Sequence, residues 1–199
     1  MPQTDPESQL IVIVTGPPRS GTSLMMSLLA GAGLPLLVDE TRPADASNPR
    51  GYYEFAPVRA SARDTQWLDQ AAGHGVKVID RLLATLPRDR NYRVIAMDRP
   101  AEEVITSQNR MLARLGEEPG SLNAARLKAI LRSTTEEVRQ LLNRERCFEW
   151  IPIHYPDLIR SPRKECIRIL DFLNLDGSNN SKVEGMVAAI DPELYRERA

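Results

Sequence analysis

The sequence predicts an α/β fold, a three-layer α/β/α arrangement around a mostly parallel sheet of about 4–5 strands. Three observations carry this expectation. Short apolar runs rich in β-branched side chains, such as Leu10 to Val14, read as strands buried on both faces. Those runs alternate with helical segments whose apolar residues recur on one side. The junctions after the strands carry glycines or charged residues, where ligands bind in open α/β sheets.

The chain has 199 residues, enough for a core without disulfides, and a single domain is expected over residues 10–199 behind a flexible polar leader, residues 1–9. Lys and Arg number 26 against 27 Asp and Glu, a formal charge of −1 that gives no reason to expect general affinity for nucleic acid or an anionic membrane. Any anion binding must be local. Two cysteines without close spacing, Cys147 and Cys166, and a start lacking a charged-then-apolar signal point to a reducing cytoplasm. The longest apolar stretch, Leu24 to Val38, is interrupted by glycines and Pro35, so no membrane span is expected.

In order, Leu10 to Val14 is the first strand, and Leu24 to Ala30 is an apolar helix stopped by Gly31-Ala32-Gly33. Leu34 to Val38 is expected to re-enter the sheet and ends in the polar Asp39-Glu40-Thr41-Arg42. Residues Arg42 to Phe55 carry two proline-bearing turns, including Asn48-Pro49-Arg50-Gly51, and read as an active-site or acceptor loop. A helix is expected from Pro57 to Ala72, broken by Gly73-His74-Gly75. Val76 to Asp80 and Tyr92 to Met97 are the next strands. Pro100 and the acidic Glu102-Glu103 open a helix over Ala101 to Leu115. An amphipathic helix follows from Ser121 to Arg144, then a strand from Phe148 to His154 whose Pro152 marks an edge or a bulge. Helices over Pro162 to Leu173 and Lys182 to Ile190 complete the pattern.

Between the first strand and helix, Gly16 to Ser23 has the G-x-x-x-x-G-x-[ST] spacing of a phosphate-binding loop, with backbone amides aimed above a helix N-terminus. Thr22 stands where a nucleoside-triphosphate loop carries lysine, and the loop's cation is Arg19 instead. The hexapeptide Pro18-Arg19-Ser20-Gly21-Thr22-Ser23 resembles the 5′-phosphosulfate loop P-[KR]-[ST]-G-T-[ST] of PAPS-dependent sulfotransferases. That resemblance runs from about Leu10 to Leu175. It implies a P-loop NTPase-like sulfotransferase fold of compact bacterial type, PAPS as donor, PAP as product and no metal. The chemistry agrees, since a sulfuryl donor without a γ-phosphate requires a cradle and a cation rather than a metal-centred arrangement.

Arg99 and Ser107 lie on a strand end and the following helix, where both can face one ligand. Alone, they also read as a helix-entry arginine and a neutral helix residue; the resemblance makes them the donor's 3′-phosphate site. Tyr155 begins YPDL, which resembles the family's Y-E-D-L segment with its tyrosine near the adenine, although a packing tyrosine at a strand end reads the same way. RKECIRILDFLNL resembles a structural C-terminal segment. The Arg-Lys-Gly tripeptide of cytosolic sulfotransferases is absent near the C-terminus, leaving Tyr195-Arg196 as a substitute. Arg110 and Arg114 either extend a basic rim from Ser107 or are solvated.

Sulfuryl transfer requires a proton acceptor and a cation for the leaving phosphate oxygen. Arg19, with Lys77, meets the second need. Lys77 lies on a strand that resembles the family's K-T-H, but Ile79 occupies the histidine position, so the base lies elsewhere. Glu40 is the first candidate, because Glu40-Thr41-Arg42 resembles the E-T-R of tyrosylprotein sulfotransferases, where a glutamate is the base; Glu54 is the second. Either also reads as a surface acid. His74, His154 and the two cysteines read as structural. The expected function is sulfuryl transfer from PAPS to a hydroxyl or amine of an acceptor that is a carbohydrate, phenol, peptide or lipid-linked group. The alternatives are a P-loop kinase, with Asp98 as a magnesium-binding acid, and an inactive nucleotide-binding module.

Overall fold

The computed structural model describes residues 10–45, 48, 51–117 and 123–191, so the predicted leader, Pro49-Arg50 and Tyr195-Arg196 lie outside the described residues. Four strands, β1 (Ile11–Thr15), β2 (Gly75–Lys77), β3 (Tyr92–Asp98) and β4 (Phe148–His154), form one sheet in the order β2-β1-β3-β4. All three pairings are parallel, with Ile13 opposite Val76 on one side and Val94 on the other. Among the described residues six α-helices accompany them: α1 (Thr22–Gly31), α2 (Ala101–Arg114), α3 (Ala124–Arg144), α4 (Tyr155–Arg160), α5 (Pro162–Phe172) and α6 (Asn180–Ala188).

The central strand β1 is buried along its whole length, and its alternation divides the core. Val12 and Val14 pack with Met25 and Leu28 of α1 and Ile169 and Leu170 of α5. Ile11 and Ile13 face the other way, toward Trp67, Leu68 and Leu142 of α3. Thus α1 leaves β1 to one face, while α3, which follows β3, covers the other. The crevice between the carboxyl ends of β1 and β3 is therefore a topological switch point. Pro152 lies on β4, an edge strand, where its missing N–H interrupts no ladder toward a further strand.

The structure corrects several expected elements. Leu34 to Val38 forms no strand and pairs with the sheet through an isolated bridge from Leu36 to Gly75. The helix expected over Pro57 to Ala72 is two 3-10 turns, Ala56–Ala60 and Gln66–Gln70. Side chains divert the backbone there: Ser61 Oγ donates to Val58 O at 2.6 Å, and Asp64 Oδ1 accepts from Gln66 N at 2.9 Å. The strand expected over Val76 to Asp80 is Gly75–Lys77, and Asp80 instead opens an unanticipated 3-10 turn to Thr85. Helix α3 starts at Ala124, where Asn123 Oδ1 caps Arg126 N at 2.8 Å; Ser121 and Leu122 lie outside the described residues. Helix α4 was not anticipated; Pro156 sits in its first turn, and α5 begins anew at Pro162. Among the described residues, no helix is long and apolar enough to cross a membrane.

Candidate active site

The loop Gly16 to Ser23 rises from β1 directly into α1. Its first helical hydrogen bond runs from Met25 N to Gly21 O at 3.0 Å, so the amides of Gly21, Thr22 and Ser23 precede the helical ladder, an arrangement that suits an anion. Gly21 is left-handed at φ 102°, and a Cβ there would lie 2.4 Å from Tyr155 Cδ2. No other residue fits this conformation and this approach together.

Arg19 also has a left-handed backbone, at φ 71°, which is unfavourable for a side chain of its size and is held by tertiary contacts. Arg19 Nε donates to Ser107 Oγ at 3.1 Å, and Arg99 Nη1 donates to Arg19 O at 3.1 Å. Three predicted donor residues from β1, β3 and α2 therefore meet at the switch point. Arg99 is fixed twice more. Its Nε donates to Glu103 Oε2 at 2.9 Å, with side chains only 7% and 4% exposed, and its guanidinium stacks 4.4 Å from the centre of the Tyr155 ring. Glu103 was read only as part of an acidic first turn; its four-residue spacing from Arg99 is the signal that could have found it.

On the opposite side of the loop, Lys77 Nζ donates to Ser23 Oγ at 2.9 Å and also to Tyr52 O. Burial lowers its pKa to about 8, against the attraction of Glu54. The acceptor loop of the sequence analysis closes at a neck where Asp39 N donates to Glu54 O at 2.9 Å and Ala56 N to Asp39 Oδ2 at 2.5 Å. That Ala56 hydrogen bond leads the interactions holding the Asp39 carboxyl below its usual range. Glu54 receives Arg42 Nη1 at 3.0 Å and Arg59 Nη2 at 2.6 Å. Burial acts to raise its pKa, but the Arg59 hydrogen bond and the charges of Arg42 and Lys77 outweigh this and lower it. Arg42 also covers the Tyr52 ring, 3.4 Å from its centre, while Tyr52 Oη donates to Asp45 Oδ2 at 2.8 Å.

These groups line one cavity of about 490 Å³, which includes Pro18, Arg19, Gly21, Thr22 and Ser23 from the loop. Arg99, Ser107, Tyr155, Lys77 and Glu54 line it as well, joined by Arg110 and Arg114. Ser20 of the loop is fully buried, and its Oγ has no hydrogen-bond partner among the described residues. Glu40 is exposed and does not line the cavity, although Arg42 of the same tripeptide does. Asp98 points away toward Arg139 Nη2, at 3.3 Å, and is likewise outside the lining. His74 Nδ1 lies 2.8 Å from Ala72 O and His154 Nδ1 lies 3.3 Å from Asp157 Oδ2; neither ring lines the cavity. Both cysteines are buried. Arg42 and Tyr52 belong to the loop expected at the active site, without an individual role there, and Arg59 lies outside that expectation, because a backbone carbonyl and loop arginines leave no periodic trace in a sequence.

A glycine-bounded turn after the central strand, met by an arginine and a serine after its neighbour, gives an open parallel α/β sheet whose cavity lies at the switch point. More particularly, the chain has the sulfotransferase fold. It superposes on the sulfotransferase domain from the Synechococcus PCC 7002 olefin synthase with a TM-score of 0.56 and 17% identity, covering 96% of this chain and 83% of that one. It superposes on the sulfotransferase domain from the curacin biosynthetic pathway with a TM-score of 0.52 and 16% identity, covering 92% of this chain and 84% of that one. The likeness is one of fold. No protein-family model and no curated protein matches the chain.

Proposed function

We propose that the chain is a PAPS-dependent sulfotransferase that moves a sulfuryl group to an acceptor hydroxyl and leaves PAP. The observation that carries this reading is the displaced cation: Thr22 replaces the triphosphate-loop lysine, and Arg19 reaches across to Ser107 while Arg99 holds its carbonyl. One network thus joins the loop to a second anion site after β3, as a ligand phosphorylated at both ends of its ribose requires.

The donor supplies an activated sulfuryl group with a phosphate leaving oxygen. In this proposal the loop amides and Arg19 bind the 5′-phosphosulfate, Arg99 and Ser107 bind the 3′-phosphate, and Tyr155 borders the adenine. Lys77 places positive charge at the floor of the cavity, where negative charge develops on the leaving oxygen. Of the two candidate bases, Glu54 is favoured over Glu40 because it lines the cavity; its carboxylate receives the acceptor's proton.

Thermal unfolding with PAP, PAPS or ATP, each with and without magnesium, tests the reading, since a ligand bound only by the native state raises its stability. PAP is expected to stabilise without metal. Stabilisation by Mg-ATP alone would refute the proposal in favour of a kinase, and PAP binding without any sulfuryl transfer would identify a binding module.

A further inference from the structure

Helix α3 is buried only near its C-terminal end, at Leu141 and Leu142. Along its exposed length Arg126, Ile130, Ser133 and Glu137, spaced by four, three and four residues, form one stripe. All four are exposed, Ile130 by 40%. The charges of this helix are segregated. Between Ala124 and Thr135 stand Arg126, Lys128 and Arg132 without an acid, and Glu136 and Glu137 follow. That order opposes the helix dipole, because Arg126 lies in a first turn that holds no acidic residue. Helix α2 shows the favourable order, with Glu102 and Glu103 in its first turn and Arg114 in its last. Lys128 is answered by Glu102 of α2. Among the described residues neither Arg126 nor Glu137 has an ion-pair partner, and the Glu137 carboxylate is instead steadied by Ser133 Oγ, which donates to it at 2.9 Å.

We propose that this stripe is a self-association face, on which a second copy of the chain lays its own α3 antiparallel to the first. Read backwards, the stripe carries the opposite order of charge, so it is complementary to itself. A two-fold axis between Ile130 and Ser133 sets Arg126 of each copy against Glu137 of the other, and Ile130 of each copy over the small Ser133 of the other. The two ion pairs then stand about 16 Å apart, eleven residues of helical rise, on either side of the two isoleucines. A parallel arrangement in the same register would instead bring Arg126 to Arg126 and Glu137 to Glu137, which like-charge repulsion forbids. The contact covers an exposed isoleucine and gives Arg126 the acid that its own helix end lacks.

Sedimentation velocity at low salt tests the assignment. One helix per copy makes an interface of the small class, below about 1,200 Å², so the protein is followed from about 1 µM to about 500 µM. The wild-type chain is expected to pass from monomer to dimer across that range, and added salt to shift it back. Arg126→Glu and Glu137→Arg, each alone, set like charges together and are expected to weaken the dimer about tenfold or more, as is Ile130→Asp. An equimolar mixture of Arg126→Glu and Glu137→Arg restores both ion pairs in an antiparallel heterodimer and is expected to associate within about threefold of wild type. Wild-type protein that stays monomeric throughout would overturn the proposal and leave the stripe to an outside partner. Single variants that dimerise as tightly as wild type, or a mixture that associates no better than its components, would overturn it as well.

Discussion

The two sides of the cavity are built by different means. The loop side hangs on β1 and β3, and its side chains are held by named partners: Arg19 by Ser107, Arg99 by Glu103 one turn away and by Tyr155 from α4. The opposite side is a long loop and 3-10 turns closed by Asp39, with Arg42 and Arg59 exposed by 41% and 62% around Glu54. Under the proposed function the first side holds the donor and the second, built of loop and turns, meets the acceptor. Substitutions on the two sides should therefore fail differently.

The largest effect is expected at Glu103. Glu103→Ala removes the carboxylate paired with the buried Arg99 and should cost about 3–5 kcal/mol in urea unfolding, with Glu103→Gln recovering part of it; a loss below about 1 kcal/mol would show that Arg99 does not depend on this partner. Gly21→Ala combines a left-handed backbone with a collision against Tyr155 and should cost about 2–4 kcal/mol. Glu54→Gln should lower sulfuryl transfer about a hundredfold with PAP affinity preserved, whereas Glu40→Gln should leave both within about twofold. The reverse pattern would move the base to Glu40. Gly51→Ala, on the acceptor loop, meets nothing within 4 Å and should cost only the conformational term, about 1–2 kcal/mol. If it matched Gly21→Ala, the contrast between the two sides would fail.

A further effect is a pH slope. With its native pKa lowered to about 8 from 10.5, Lys77 binds fewer protons in the folded than in the unfolded state between those values. Its contribution to stability therefore rises with pH across that window, by at most about 1.4 kcal/mol per pH unit. Lys77→Met should flatten the rise; an unchanged slope would assign it to other groups.

The same contrast explains what could be read from the sequence. Gly16, Gly21 and the apolar run before them reported the cradle, because backbone geometry restricts residue choice. Strand β4 and the body of α2 followed from periodicity in the same way. Residues 57–72 also carried helical spacing, yet Ser61 and Asp64 redirect their backbone, which apolar pattern alone does not reveal. The carbonyl of Tyr52 on Lys77, and the choice of Glu54 rather than Glu40 for the cavity lining, depend on how the acceptor loop closes, and closure at Asp39 is a tertiary fact.

Calorimetric titration of PAP in the presence of EDTA tests the central claim, a metal-free cradle for a nucleotide phosphorylated at both its 3′ and 5′ positions, most directly. The wild-type protein should bind PAP at least about tenfold more tightly than adenosine 5′-phosphate, and Arg19→Ala should erase most of that preference. Equal affinity for the two nucleotides, or no PAP binding without metal, would contradict it.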